Sequence, residues 1–345
     1  MRIVLGPSDP AGVGSALAGG LRARGHDADV VTLVASPWGF RSDRVVGTRL
    51  GAARFAFGRA RRYDVMHVLG GRSWLFYADI LAARARGRLA VIQYNGSDCR
   101  TSDIATALHP ARARIVDPAR DRGVRRHRRL GARTARAAVV QDLELVDYLR
   151  NDFERIYVAP FAIDMAAVEA ARSPSGSSDR GPLRVLHAPS HRGIKGSGLV
   201  EDAARDASIE LVTVSGRPHR DALAAVAGSD LVVDQLNSET PGVLSAEAMA
   251  LGKPVICEYA EDKLAPFARP CPVVAAAPET LEARLLELAS DADRRRELGE
   301  AGREYATRVH DPAVAAAAAE AVYEHARQGE PGIYEAGPGG VRKLP

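Results

Sequence analysis

The stretch SDLVVDQLNSETPGVLSAEAMALGKPVI, residues 229–256, decides how this chain is read. Its apolar run at 231–236 suits a strand buried on both faces. A polar loop follows at 237–242, then a helical pattern over about 243–251. Gly252 is a natural stop for that helix, Lys253 lies near its negative end, and Pro254 blocks continuation. The next apolar run begins at once. Ligands of open parallel α/β sheets lie outside the carboxyl ends of the strands, where this loop falls. The helix start offers the backbone N–H groups of Gly242, Val243 and Leu244 to a phosphate or sugar oxygen. Glu239 in the loop and Glu247 about one turn into the helix are acceptor-only groups able to hold vicinal hydroxyls. Two carboxylates beside such a helix end suit a sugar nucleotide, one for the ribose and one for the sugar.

The same alternation fills the chain. Apolar runs begin at Arg2, Ala28, Asp64, Leu89, Ala137 and Arg155, with segments between them mostly long enough for crossover helices. Residues 172–182, RSPSGSSDRGP, have a linker's composition. A second series then begins at Leu183, Ile209, Leu231, Pro254 and Cys271. At roughly 150 residues per domain, a chain of 345 residues holds two. The expected organisation is α/β: a first Rossmann-like domain over 1–170, a linker over 171–182 and a second such domain over 183–310. A last helix is expected over 311–328, with Pro312 at a favourable first position and an apolar stripe of Val314, Ala318 and Val322. It is expected to cross back onto the first domain. The segment 329–345 is turn-rich and lacks periodicity, which predicts a loosely ordered tail whose removal costs little.

The spacing of Glu239 and Glu247, with AMALGKPVI after it, resembles the signature of retaining family-four glycosyltransferases of the GT-B type. The family pattern runs roughly E-G-F-G-L-x-x-x-E-A-M-A-x-G-x-P-V-I; here Thr240 and Pro241 replace Gly and Phe. VLHAPSHRGIKGS at 185–197 resembles the family's second-domain opening, where an Arg and a Lys-Gly pair clamp the diphosphate. Lys195 and Gly196 match the pair; Ser190 stands where the Arg would fall, and Arg192 is offered instead. VAPFAID at 158–164 resembles the family's hinge, and LRARGHDADVVT at 21–32 its first helix and second strand. QYNGSDCR at 93–100 resembles a strand-end H-G-S-D motif, with Asn95 in the His position and Asp98 matching. The resemblance covers the chain to about Gln328 and is looser in the first half. It implies two domains with parallel sheets facing a central cleft, acceptor side first and donor side second. Gly12, Val13 and Gly14 form the loop after the first strand, which in this fold lies opposite the donor phosphates.

The implied reaction is sugar transfer from a nucleotide diphosphate with retention. Lys195, Arg192 and the helix start near Gly242 would stabilise the leaving diphosphate, Glu239 would hold the sugar and Glu247 the ribose. Asn95 and Asp98 would face the acceptor: a small molecule, a glycan or a lipid-linked compound. Diphosphate oxygen would take the acceptor's proton, so no protein general base is named. No cofactor and no metal are expected, because no metal-ligand cluster is visible in the sequence. The rivals are a sugar-nucleotide-binding or scaffolding protein of this fold without activity, and a sugar-nucleotide epimerase.

Other features set bounds. The net charge is +4. Cys99, Cys257 and Cys271 are scattered and odd in number, which favours a reducing, cytoplasmic setting over a disulfide framework. No stretch is long and apolar enough for a transmembrane helix. GVGSAL after the first strand lacks the third glycine of a dinucleotide site. The basic run DRGVRRHRRLGARTAR at 121–136 has no interleaved Phe, Tyr or Trp, so a nucleic-acid partner is not expected. It reads as a solvated helix face, with an anionic acceptor or a membrane surface as the alternatives. His67 and His187, without partners at ligand spacing, read as core or supporting residues.

Overall fold

The computed structural model describes residues 1–108, 116–172 and 183–345. The expected linker therefore lies, from residue 173 on, outside the described residues.

The first sheet begins with β1 (Arg2–Gly6), β2 (Asp27–Thr32), β3 (Arg44–Val45), β4 (Val65–Leu69), β5 (Leu89–Gln93), β6 (Ala137–Val140) and β7 (Arg155–Val158). The second holds β8 (Arg184–His187), β9 (Glu210–Thr213), β10 (Leu231–Val233), β11 (Val255–Cys257) and β12 (Val274–Ala275), in the order β12-β11-β10-β8-β9 and all parallel. Every apolar run named above contains one of these strands. The central strands β4 and β5 are buried at every position, which is why they read as unbroken apolar runs.

The tail is not loose. It forms β13 (Gly332–Gly337) and β14 (Gly340–Lys343), which complete a nine-stranded first sheet in the order β14-β13-β7-β6-β5-β4-β1-β2-β3. β13 runs parallel to β7, and β14 returns antiparallel across a turn at Pro338 and Gly339. Tyr334 stacks on Tyr157 with ring centroids 5.4 Å apart, and a Glu335 carboxylate oxygen accepts the Phe267 N–H at 2.6 Å. The glycines and proline that read as a loop are the hairpin's turn chemistry. The expectation that removing this segment costs little is withdrawn with it.

The helix Ala292–His310 packs on the helix Val243–Ala250 of the second domain, with Gly302 against Met249. The chain then turns at Asp311, which caps the helix Pro312–Gln328 by accepting the Ala313 N–H at 2.7 Å. That last helix lies against the first domain's helix Val13–Ala23. Small residues permit the approach: a Cβ at Gly20 would lie 2.1 Å from the Pro312 carbonyl oxygen. Glu320 binds Arg24 at 2.6 Å, and the Tyr323 hydroxyl meets Nδ1 of the buried His67 at 2.7 Å. Burial pulls His67 down to about 4, so it is a neutral core residue. The two passages between domains run together: the Ile163 N–H donates to the His310 carbonyl at 3.1 Å.

Candidate functional site

The second domain's share of the candidate site is built at the carboxyl ends of β8 and β10. Lys195 closes a short helical turn, Arg192–Lys195, and Gly196 follows with φ +73°, a conformation glycine adopts without strain. Behind the turn, the buried His187 spans from the Val233 carbonyl, 2.9 Å from Nδ1, to the Ser197 hydroxyl, 2.8 Å from Nε2. His187 therefore supports the turn, and burial lowers its pKa.

Lys195 Nζ lies 2.9 Å from Asp234 Oδ1 and 2.6 Å from Gln235 Oε1. The other Asp234 oxygen accepts the Gly242 N–H at 3.1 Å and the Ser245 hydroxyl at 2.7 Å. Asp234 thus fastens the lysine to the N-terminus of the helix Val243–Ala250. Burial works to raise its pKa, but the Lys195 charge and these hydrogen bonds outweigh burial and hold it below the usual carboxylate range. The Gly242 N–H is therefore already engaged, a correction to the expectation that it awaits a ligand. Among the described residues no side chain caps this helix, which leaves the N–H groups of Val243 and Leu244 facing its mouth. An ammonium has three protons, and among the described residues Asp234 and Gln235 take two, which leaves the third for an anion.

Glu239 lies half-buried in the loop after β10, and Glu247 lies one turn into the helix. Glu247 is paired with His219 at 2.6 Å. Burial lowers the His219 pKa, but the hydrogen bond and charge of Glu247 overcome it, and the net shift is upward. Arg192 stands apart, half-exposed, in a pair with Glu201 at 2.6 Å.

The first domain meets this site at two places. The His219 N–H donates to the Trp38 carbonyl at 2.9 Å, and the Phe40 ring lies 4.6 Å from the His219 ring. On the far side, Thr240 donates to Asp142 Oδ2 at 3.1 Å, and Arg100, paired with Glu144 at 2.6 Å, reaches Ser238 at 3.5 Å. Burial and then the Glu144 charge push Asp142 up to about 7.

Gly12 and Gly14 do make close approaches, but to the protein's own side chains. A Cβ at Gly12, φ +73°, would lie 2.5 Å from the Phe40 ring, and one at Gly14 would lie 2.4 Å from Leu69. The Gly14 and Ser15 N–H groups donate to Asp9 at 2.9 and 2.8 Å, so Asp9 caps the helix Val13–Ala23.

Asn95 and Asp98 lie on the first domain, after β5. Asp98 accepts the N–H groups of Asn95 at 3.0 Å and Gly96 at 2.8 Å, so it shapes the turn that presents the exposed Asn95. Both line a cavity of about 300 Å³ with Ser8, Arg72, Arg120 and His127. It opens at the ends of β1, β4 and β5, where the strand order reverses direction.

Lys195, Gly242, Glu239 and Glu247 thus share the second domain's edge, and Asn95 shares the first domain's cavity. Sequence reasoning missed Asp234, His219, Asp142 and Phe40. A carboxylate within the apolar run LVVDQL was a readable sign of Asp234; the others had none.

Neither family models nor curated protein sequences match this chain. Solved structures do. A sucrose-phosphate synthase from Thermosynechococcus elongatus is similar at 14% identity and TM-score 0.60, over 90% of this chain and 95% of its own. AviGT4, a glycosyltransferase involved in avilamycin A biosynthesis, is similar at 14% identity and TM-score 0.58, over 95% and 98%. An alpha-glucosyltransferase solved with UDP-glucose and DNA is similar at 11% identity and TM-score 0.59, over 94% and 98%. The fold is that of GT-B glycosyltransferases, two α/β domains on mostly parallel sheets.

Proposed function

We propose that this chain is a retaining glycosyltransferase that takes a sugar from a nucleotide diphosphate and needs no metal. The observation that carries the reading is Lys195, held by Asp234 at the mouth of an uncapped helix start, with Glu239 and Glu247 on the same loop and helix. The donor's diphosphate sits at that mouth. As the bond from the anomeric carbon to the phosphate oxygen breaks, the electron pair stays on the diphosphate. The lysine and the Val243 and Leu244 N–H groups stabilise that charge. Glu239 holds the sugar, and Glu247, oriented by His219, holds the ribose. An acceptor hydroxyl enters from the Asn95 side and attacks the face the diphosphate leaves, and its proton passes to a diphosphate oxygen. Arg192 is left with Glu201 and takes a smaller part than Lys195.

The test is diphosphate release from a panel of nucleotide sugars, with EDTA present and with thermal stabilisation read alongside. Release with a matched donor, undiminished by EDTA, supports the reading. Binding without release favours a sugar-nucleotide-binding protein, and an isomerised donor without release favours an epimerase. Loss on chelation, restored by magnesium, removes the metal-free mechanism.

A further inference from the structure

The helices Ala78–Arg84 and Asp121–Thr134 lie side by side on the first domain. They run in the same direction. The Tyr77 hydroxyl, before the first, is 3.1 Å from His127 Nδ1, and Arg84 at its end donates to the Arg133 carbonyl at 3.3 Å. Arg122, Arg126, Arg129 and Arg133 recur at i, i+4, i+7 and i+11, so they form one exposed stripe. Among the described residues none of these four makes an ion pair. The acids these two helices carry, Asp79 and Asp121, are buried at 1% and 5% exposure and leave the outer charge unbalanced.

Two large apolar side chains stand in water here: Phe76, 55% exposed, against the stripe, and Leu81, 51% exposed, on the adjoining helix Ala78–Arg84. The Arg126 guanidinium lies 5.0 Å over the Phe76 ring. An ordinary solvated face mixes charge signs and holds few such side chains.

We propose that this face docks on an anionic lipid bilayer, with the arginines among the headgroup phosphates and Phe76 and Leu81 at the acyl boundary. A basic face edged by exposed apolar residues is what such an interface binds. A nucleic-acid backbone would satisfy the arginines but would give Phe76 and Leu81 no apolar counterpart. The same helix also turns Val124 and His127 into the cavity that holds Asn95. A hydroxyl carried on a lipid headgroup would therefore lie about one helix width, ~10 Å, from that cavity. Docking itself does not depend on the transfer reaction.

The test is co-sedimentation of the full chain with vesicles of phosphatidylcholine alone and of an equimolar mixture with phosphatidylglycerol. Binding is expected only to the mixture and should weaken as salt screens the arginines. R126E/R129E should reduce it at least about tenfold, since each basic residue near an anionic surface contributes substantially. F76S should weaken it further in high salt than in low, because the apolar share then dominates. Both variants change exposed side chains, and an unaltered unfolding midpoint confirms that they fold. Equal binding to both vesicles, no binding, or full binding by R126E/R129E overturns the proposal. So does binding to duplex DNA tighter than to the mixed vesicles and unaffected by F76S.

Discussion

Asp234 joins Lys195 to the start of the helix Val243–Ala250, one carboxylate oxygen 2.9 Å from Nζ and the other 3.1 Å from the Gly242 nitrogen. One buried acid therefore sets both the position of a cation and the orientation of the loop around it. Lys195→Ala leaves that acid uncompensated and should cost about 3 kcal/mol by denaturant unfolding. The double variant K195M/D234N should recover much of that stability while diphosphate release stays low. Recovered release in the double variant would show that the lysine is structural only. Because Asp234 is depressed below 3.8, its stabilisation is present at neutral pH and is lost as pH falls below about 4.

Glu247, the proposed ribose holder, also raises the His219 pKa. Glu247→Ala should raise the donor KM about tenfold or more, the worth of a hydrogen bond to a charged group, with a smaller change in kcat. It should also lower the His219 pKa, which an NMR titration reads directly. The sign follows from the raised pKa: the pair's stabilisation is full below 6.5 and fades as pH rises through the folded value. An unmoved His219 titration would break the assignment.

Asp142 behaves in the opposite sense to Asp234. Its pKa lies at about 7 instead of 3.8, so the folded state favours the protonated acid. Stability should therefore decline as pH rises from about 4 through about 7. Asp142→Asn keeps the cap on Leu145 N–H and the contact with Thr240 but removes the charge. Its unfolding midpoint should be flatter over that interval than wild type, and an equally steep decline would assign the pH dependence elsewhere.

Gly19 and Gly20 should respond with opposite signs. Gly19 is exposed, with nothing within 4 Å of a Cβ, so Gly19→Ala should stabilise by about 0.5–1 kcal/mol. At Gly20 the Cβ would meet the Pro312 carbonyl at 2.1 Å. Gly20→Ala should cost about 1–3 kcal/mol by forcing the last helix outward. Thermal unfolding of the two single variants decides it.

Where the sequence was legible, burial explains why. Strands covered on both faces, such as VMHVL in β4, must be apolar throughout, and the 229–256 stretch carries its own stop and start signals. The hairpin was hidden because an edge pair built on Gly332, Gly337 and Gly340 has no such run. Asp142 against Thr240 and Phe40 against His219 join residues far apart in sequence, and no local pattern encodes such meetings. Asp234 was half-visible: its placement at a strand end was on the page, while its lysine lay 39 residues earlier.

The hairpin also orders events during synthesis. β13 and β14 belong to the first sheet, yet the ribosome delivers them after every strand of the second. A nascent chain thus carries β7 as an exposed edge, open to pairing with a neighbouring chain, for as long as the second domain takes to emerge. Translation pauses within residues 183–331 would lengthen that window, so the yield of this protein is tied to elongation speed over a domain that the unfinished sheet does not contain.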